Sequence, residues 1–266
     1  MKNKVHLILF AAGLIILALL IRDFGPENIL INIEKLGWWF AAASGLWGLV
    51  YLQNAAAWYV IIGPERRKVA FWRVYTISLS SFAINYVTPF LSLGGEPYRI
   101  SAIREFVGIE RSVSSVTLYR MIHVLAHLFF WVLTIPLSYI LLPEIHKYTF
   151  ALLLFFLIVS LLILFLFYGL RKGFLYALYN ITGRYMLLRF IYRKAERYRE
   201  KLLTIDLQIK ELYNSRKGAF WTAVMFELLS RFSASIEFFF ILTAIGYDVS
   251  IPHAFYIHSI SSLFMN

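Results

Sequence analysis

The sequence predicts an all-α, polytopic membrane protein with about five full transmembrane helices and a re-entrant hairpin. Three observations carry that prediction. Of the 266 residues, 60% are hydrophobic and only 15% charged, whereas a soluble globular domain is nearer a quarter charged. Several uncharged runs reach the roughly 20 residues needed to cross a bilayer core. One further stretch starts as an apolar helix and then breaks at Pro89 and Gly94-Gly95, beside charged residues. Cysteine is absent, so a disulfide framework and thiolate metal sites are excluded. The net charge of +11 would suggest nucleic acid in a soluble chain. In a membrane protein, basic inner loops and anionic headgroups account for it, and no nucleic-acid partner is expected.

Lys2 and Lys4 precede the apolar run Val5–Ile21. No small-x-small cleavage pattern follows before Arg22 and Asp23, so this reads as a retained first helix with its start in the cytoplasm. A short polar link from Arg22 to Lys35 leads to Leu36–Ile62, an uncharged span with Trp38, Trp39, Trp58 and Tyr59 as interfacial anchors. A basic turn, Glu65-Arg66-Arg67-Lys68, closes it.

The stretch Tyr75–Arg104 follows, with Ser78, Ser80, Ser81, Asn85 and Thr88 interrupting its apolar face. Proline removes a helical donor and glycine accepts backbone angles that other residues avoid, so the helix should stop at Pro89 and turn through Gly94-Gly95. Further spans are read at Met121–Leu142, Tyr148–Leu170 and Ala219–Ala244. Between the last two lies 171–217, with twelve Lys/Arg against four Asp/Glu and apolar residues interleaved. It reads either as a basic amphipathic segment on the inner membrane surface or as a solvated cytoplasmic loop. The sequon Asn180-Ile181-Thr182 means nothing on that side.

Topology then constrains the middle. With the amino terminus, the turn after Ile62 and the 171–217 linker all inside, residues 74–112 must enter and return on one side. That makes them a re-entrant hairpin, and Lys/Arg then number 18 inside against 3 outside. The eleven residues Tyr75–Asn85 also align without gaps on Tyr256–Asn266, with five identities. A final apolar run from His253 is therefore expected to begin a second hairpin, cut short at the end of this sequence. Paired broken helices in two halves point to a transporter's binding site. The whole of 1–266 is read as a single transmembrane domain.

Ions inside a membrane are functional by default, and this fixes the candidate site. Glu96 and Arg99 are three apart, so a short helix from Pro97 would place them together. Arg99 is expected to hold a lipid phosphate, with Glu96 as its partner or as a proton-linked switch; the alternative is an ion pair that closes the hairpin. Asn85, Gly94 and Gly95 frame that turn. Arg120, His123 and His127 share one helix face and form a polar lining toward the hairpin; no carboxylate motif accompanies them, so no metal is expected. Glu227 and Arg231 are four apart, with Glu237 beyond. Arg231 is expected either to face the same cleft as Arg120 or to pair internally with Glu227. There is no phosphate-binding glycine loop, H-E-x-x-H or nucleophile elbow, so no catalytic residue, cofactor or enzyme activity is expected.

The stretch Asn85-Tyr-Val-Thr-Pro-Phe-Leu-Ser-Leu-Gly-Gly-Glu-Pro-Tyr-Arg99 resembles the Pro…Gly-Gly-Glu-x-x-Arg signature of the lysylphosphatidylglycerol synthetase transmembrane-region, or flippase-like domain, family. Arg231 followed by Ala244-Ile-Gly-Tyr-Asp-Val-Ser250 fits the same family. The resemblance covers most of the chain, without the aminoacyl-transferase domain of the best-known members and without the family's second Pro-Gly…Glu motif. It implies a multi-pass cell-membrane protein that moves an anionic, aminoacylated or polyprenyl lipid between leaflets. The rival reading is a lipid-binding partner that presents lipid to a separate glycosyltransferase or synthetase.

Overall fold

The computed structural model describes residues 18–87, 94–172, 196 and 199–265. Most of the first apolar run, Pro89, the sequon, residues 173–195 and Asn266 lie outside that set. Every regular element among the described residues is helical.

Residues 18–24 are helical, and α1 (Pro26–Leu36) follows. The sequence reading made this segment a polar link. It is helical because Pro26 occupies the first helical turn, Glu27 sits at the positive end of the helix dipole and Lys35 at the negative end. The long helix α2 (Trp38–Ile62) then runs to a 3-10 turn, Gly63–Lys68, that carries the basic cluster. Two short helices come next, α3 (Phe71–Val87) and α4 (Gly95–Val107). They occupy most of the region, 74–112, for which a re-entrant hairpin is expected.

Gly108, with φ +79°, joins α4 to α5 (Ile109–Leu141). That left-handed backbone favours glycine and lets one helix end where the next begins. Beyond a second 3-10 turn come α6 (Thr149–Lys172), α7 (Arg199–Ser215), α8 (Lys217–Ala244) and α9 (Ile251–Met265).

Among the described residues, three helical stretches are long and apolar enough to cross a membrane: Trp38–Lys68, Ile109–Leu141 and Pro143–Leu170. Helix α6 bares apolar side chains on most of its circumference, Phe150, Leu153, Leu157, Leu161 and Leu164 among them. Such a helix is suited to hydrocarbon surroundings rather than water. Helix α8 is long enough to cross as well but carries Glu227, Arg231 and Glu237.

The helices pack in a definite sense. Gln53 meets Ser233, Trp47 meets Glu237 and Trp39 meets Phe240, so α2 and α8 are antiparallel. Tyr59 packs on Phe71 and Tyr51 on Phe82, so α3 returns antiparallel to α2. Along α5, Trp131 meets Ser262 and Thr134 meets Ser259, so α9 runs opposite to α5. Helix α5 is in turn parallel to α8, because His123 meets Glu227 and Phe130 meets Phe232. The pair α2–α3 is therefore matched by α8–α9 in the reverse direction. The repeated serines follow suit: Ser78 and Ser259 are buried, as are Ser81 and Ser262.

One apolar core, including Trp58, Ile62, Val74, Ile103, Ile122, Ile209 and Phe220, joins α2, α3, α4, α5, α7 and α8. Helix α7 contributes Ile205, Ile209 and Leu212 to it. This part of the basic linker is thus a helix seated on protein, with Ser114 donating to Gln208.

Candidate functional site

Helix α5 carries Tyr119, His123, His127 and Trp131 at four-residue spacing, which stacks them on one face. Their ring centres are 5.9, 5.3 and 5.9 Å apart in succession. The column joins the α4 side of the bundle to the α9 side. At one end Arg99 lies against Tyr119; at the other Trp131 Nε1 donates to Ser262 Oγ at 2.8 Å.

Midway, α8 meets the column with two charges one turn apart. Glu227 is fully buried, and its Oε2 lies 2.8 Å from His123 Nδ1. Arg231 Nη2 lies 3.4 Å from that carboxylate oxygen and 2.7 Å from His123 Nε2. Arg231 pairs with Glu227, one of the two readings of it, and also contacts His123. An apolar environment makes such a cluster costly unless its members satisfy one another, so its geometry is tightly constrained. Glu227 Oε1 and Arg231 Nε nevertheless have no hydrogen-bond partner among the described residues.

Arg99 is placed differently from the sequence expectation. Its guanidinium sits 4.6 Å from the Tyr119 ring centre, 5.0 Å from Phe82 and 5.3 Å from Trp58. The residue is only 4% exposed, and its Nε has no hydrogen-bond partner among the described residues. Glu96 is not its partner: Glu96 Oε1 lies 3.9 Å from Arg120 Nη1. The helix begins at Gly95 rather than Pro97. All fifteen Asp and Glu residues lie among the described residues, and none forms an ion pair with Arg99. Three aromatic faces solvate the cation instead of a carboxylate.

The glycine pair also works otherwise than the sequence suggested. Gly94 has φ −75° and ψ −30°, ordinary right-handed helical angles. Gly95 is required for space. Its N–H donates to Asn85 Oδ1 at 2.7 Å. A Cβ there would collide with the Ser81 hydroxyl and carbonyl and lie 2.8 Å from Asn85 Oδ1. Asn85 thus caps the start of α4 from the end of α3.

Glu237 stands apart from this layer, accepting from Trp47 Nε1 at 2.7 Å. His258 joins it from α9, with Nδ1 2.7 Å from Ser235 Oγ and its ring stacked on Phe238 at 5.2 Å. The sequence reading missed His258 as well as the His123–Glu227 contact. Both histidine and glutamate stood out as polar residues in apolar runs, but 104 positions separate the pair.

A second charged cluster lies at the end of α2. Arg111 Nε donates to the Ile62 carbonyl at 2.9 Å and Arg216 Nη2 to that of Val60 at 3.2 Å. Two guanidiniums thus cap one helix C-terminus. Burial, with Arg111 alongside, lowers the Arg216 pKa from the ordinary arginine value.

The model of the family described as Lysylphosphatidylglycerol synthase TM region matches residues 6–265. No curated protein and no solved structure matches the chain.

Proposed function

The chain belongs to the lysylphosphatidylglycerol synthase transmembrane-region family, and from that premise we propose that it moves an anionic-headgroup lipid between membrane leaflets. The observation that carries the reading is Arg99, a buried cation that no Asp or Glu among the described residues neutralises. A lone charge in an apolar bundle is expensive even with aromatic faces around it. A lipid phosphate is the natural counter-ion, because the planar guanidinium can hold two of its oxygens at once. Arg231, Arg120 and His123 extend the polar layer along which the headgroup would travel, with the tails left in lipid. Asn85, Gly94, Gly95 and Glu96 shape its mouth, and Glu237 lies further along α8.

The antiparallel relation between α2–α3 and α8–α9 supports a transporter architecture. On this reading α3–α4 is a re-entrant hairpin opening to the cytoplasm, where the amino terminus also lies, and α9 is the counterpart of α3 from the other face. Site residues on α4, α5 and α8 then lie between opposed short helices. With Arg99 boxed in, the structure corresponds to a closed state, and a headgroup would draw Arg99 out of its cage. The protein acts as a carrier in the cell membrane rather than as an enzyme.

The test is a leaflet-resolved assay of headgroup-labelled phosphatidylglycerol in proteoliposomes holding the purified chain. Protein-dependent exposure of label in the opposite leaflet supports translocation. Lipid binding without exchange would instead make the chain a lipid-presenting partner.

A further inference from the structure

We propose that His123 is a proton-operated latch on Arg231, so that a proton and an anionic headgroup enter the polar layer together. The inference deepens the lipid-translocating reading and rests on it. Its basis is donor and acceptor logic at one imidazole. An ionised carboxylate only accepts hydrogen bonds and a guanidinium only donates them. His123 contacts both: its Nδ1 lies 2.8 Å from Glu227 Oε2, and Arg231 Nη2 lies 2.7 Å from its Nε2 and 2.8 Å from its Nδ1. It satisfies both only as the neutral ring, with a proton on Nδ1 and a bare Nε2.

A proton added at Nε2 turns that acceptor into a donor. The new N–H then points at the N–H of Arg231, and two cations meet where a hydrogen bond stood. Glu227 keeps its partner, now as an ion pair with the imidazolium. Arg231 loses its acceptor at Nε2 and keeps the 3.4 Å approach to Glu227, beside an Nδ1 that donates rather than accepts; its Nε already lacks a partner among the described residues. The freed guanidinium is available to phosphate oxygens. The converse holds by linkage: an anion that draws Arg231 away leaves Nε2 open to a proton. Proton and monoanion together add no net charge to a layer whose Glu227 is fully buried, so each offsets the cost of the other.

The other groups facing His123 fit this exchange. Helix α5 itself supplies Tyr119, Arg120 and His127, and α8 supplies Glu227 and Arg231. Helix α4 supplies Arg99 against Tyr119 and Glu96 against Arg120. Helix α9 brings His258, held on Ser235. Helix α2 brings Gln53 against Ser233 and Trp58 against Tyr119, and neither titrates. His127 is the competing proton acceptor, one turn along the column. It touches His123 edge-on.

The test uses the purified full chain in weakly buffered detergent micelles with a pH-indicator dye, to which phosphatidylglycerol is added as mixed micelles. Lipid binding is read in parallel by native mass spectrometry. Reciprocal linkage predicts uptake of about one proton per lipid bound by the wild type. Per lipid bound, His123→Gln should show no such uptake, because a glutamine amide donates to Glu227 and accepts from Arg231 but does not titrate. His127→Gln should retain the uptake. Binding without proton uptake in the wild type, or uptake unchanged in His123→Gln, overturns the latch and leaves the lipid reading standing. Absence of binding to the wild type overturns the lipid reading, and nitrogen-15 histidine NMR in the same micelles then decides the latch. A neutral His123 that gains its second N–H on acidification and sheds its Arg231 contact supports the latch; a His123 that keeps that contact throughout the titration overturns it.

Discussion

Arg99 on α4 is held 4.6 Å from the ring centre of Tyr119 on α5, although Glu96 lies only three residues away on the same helix. The relationship explains how a cation survives at 4% exposure without an ion pair. It also predicts a graded response. Tyr119→Phe keeps an aromatic face and should cost little, whereas Tyr119→Leu removes one wall of the cage, worth about 0.5–2 kcal/mol. Thermal unfolding in detergent measures both. Equal losses would show that the Tyr119 face is not what holds the cation.

Gly95 is held by close approach of α4 to α3, not by its backbone angles. Gly95→Ala should therefore destabilise the packing of α3 on α4 by about 1–3 kcal/mol, the usual range for forced overpacking. Gly48→Ala on α2 meets nothing within 4 Å and should be neutral or slightly stabilising, as expected for a helical glycine. The two melting temperatures, compared with the wild type, check the contrast.

Removing one member of the buried cluster should cost more than removing both. Glu227→Leu strands Arg231 in the apolar interior, a loss of about 3–5 kcal/mol. The double change Glu227→Leu with Arg231→Met should be less damaging than the sum of its parts. A double-mutant cycle on unfolding gives the coupling directly. Additive losses would mean that the two side chains do not interact.

The helix inventory was largely legible in the sequence, because runs of uncharged residues and their Pro/Gly breaks follow from backbone chemistry alone. Helix α1 escaped because its charged residues were read as a link, when their positions suit the two ends of a helix dipole. The breaks around α3 and α4 were visible, but the reason for Gly95 was not: its neighbours Ser81 and Asn85 belong to another helix. The site divided in the same way. Polar residues in apolar runs identified Arg99, Arg120, His123 and Arg231. Which ones meet depended on the packing of α4, α5 and α8, and a three-residue spacing favoured Glu96–Arg99 over partners from three other helices. A guanidinium enclosed by Trp58, Phe82 and Tyr119 leaves no local trace in the chain.

The reading of α3–α4 as a hairpin that does not cross can be checked by labelling, since the chain has no native cysteine. Lys68 and Glu110 are exposed at either side of the hairpin, and Glu65 reaches Arg111 at 3.2 Å. Cysteines at Lys68 and Glu110 should react with an impermeant maleimide from the cytoplasmic side alone. A cysteine at Asp248, in the turn between α8 and α9, should react from the opposite side. Labelling of Lys68 and Glu110 from different sides would refute the hairpin.

The central claim is that Arg99 is the cation for a lipid phosphate, and charge-preserving substitution tests it most directly. Arg99→Lys keeps the positive charge but loses the planar fork that grips two oxygens at once. Leaflet-resolved translocation of labelled phosphatidylglycerol is measured in proteoliposomes for this variant and the wild type, at matched amounts of folded protein. The account predicts that Arg99→Lys remains folded and reconstitutes normally while its translocation rate falls at least tenfold, equivalent to about 1.4 kcal/mol. Translocation at the wild-type rate by a folded Arg99→Lys protein would contradict it.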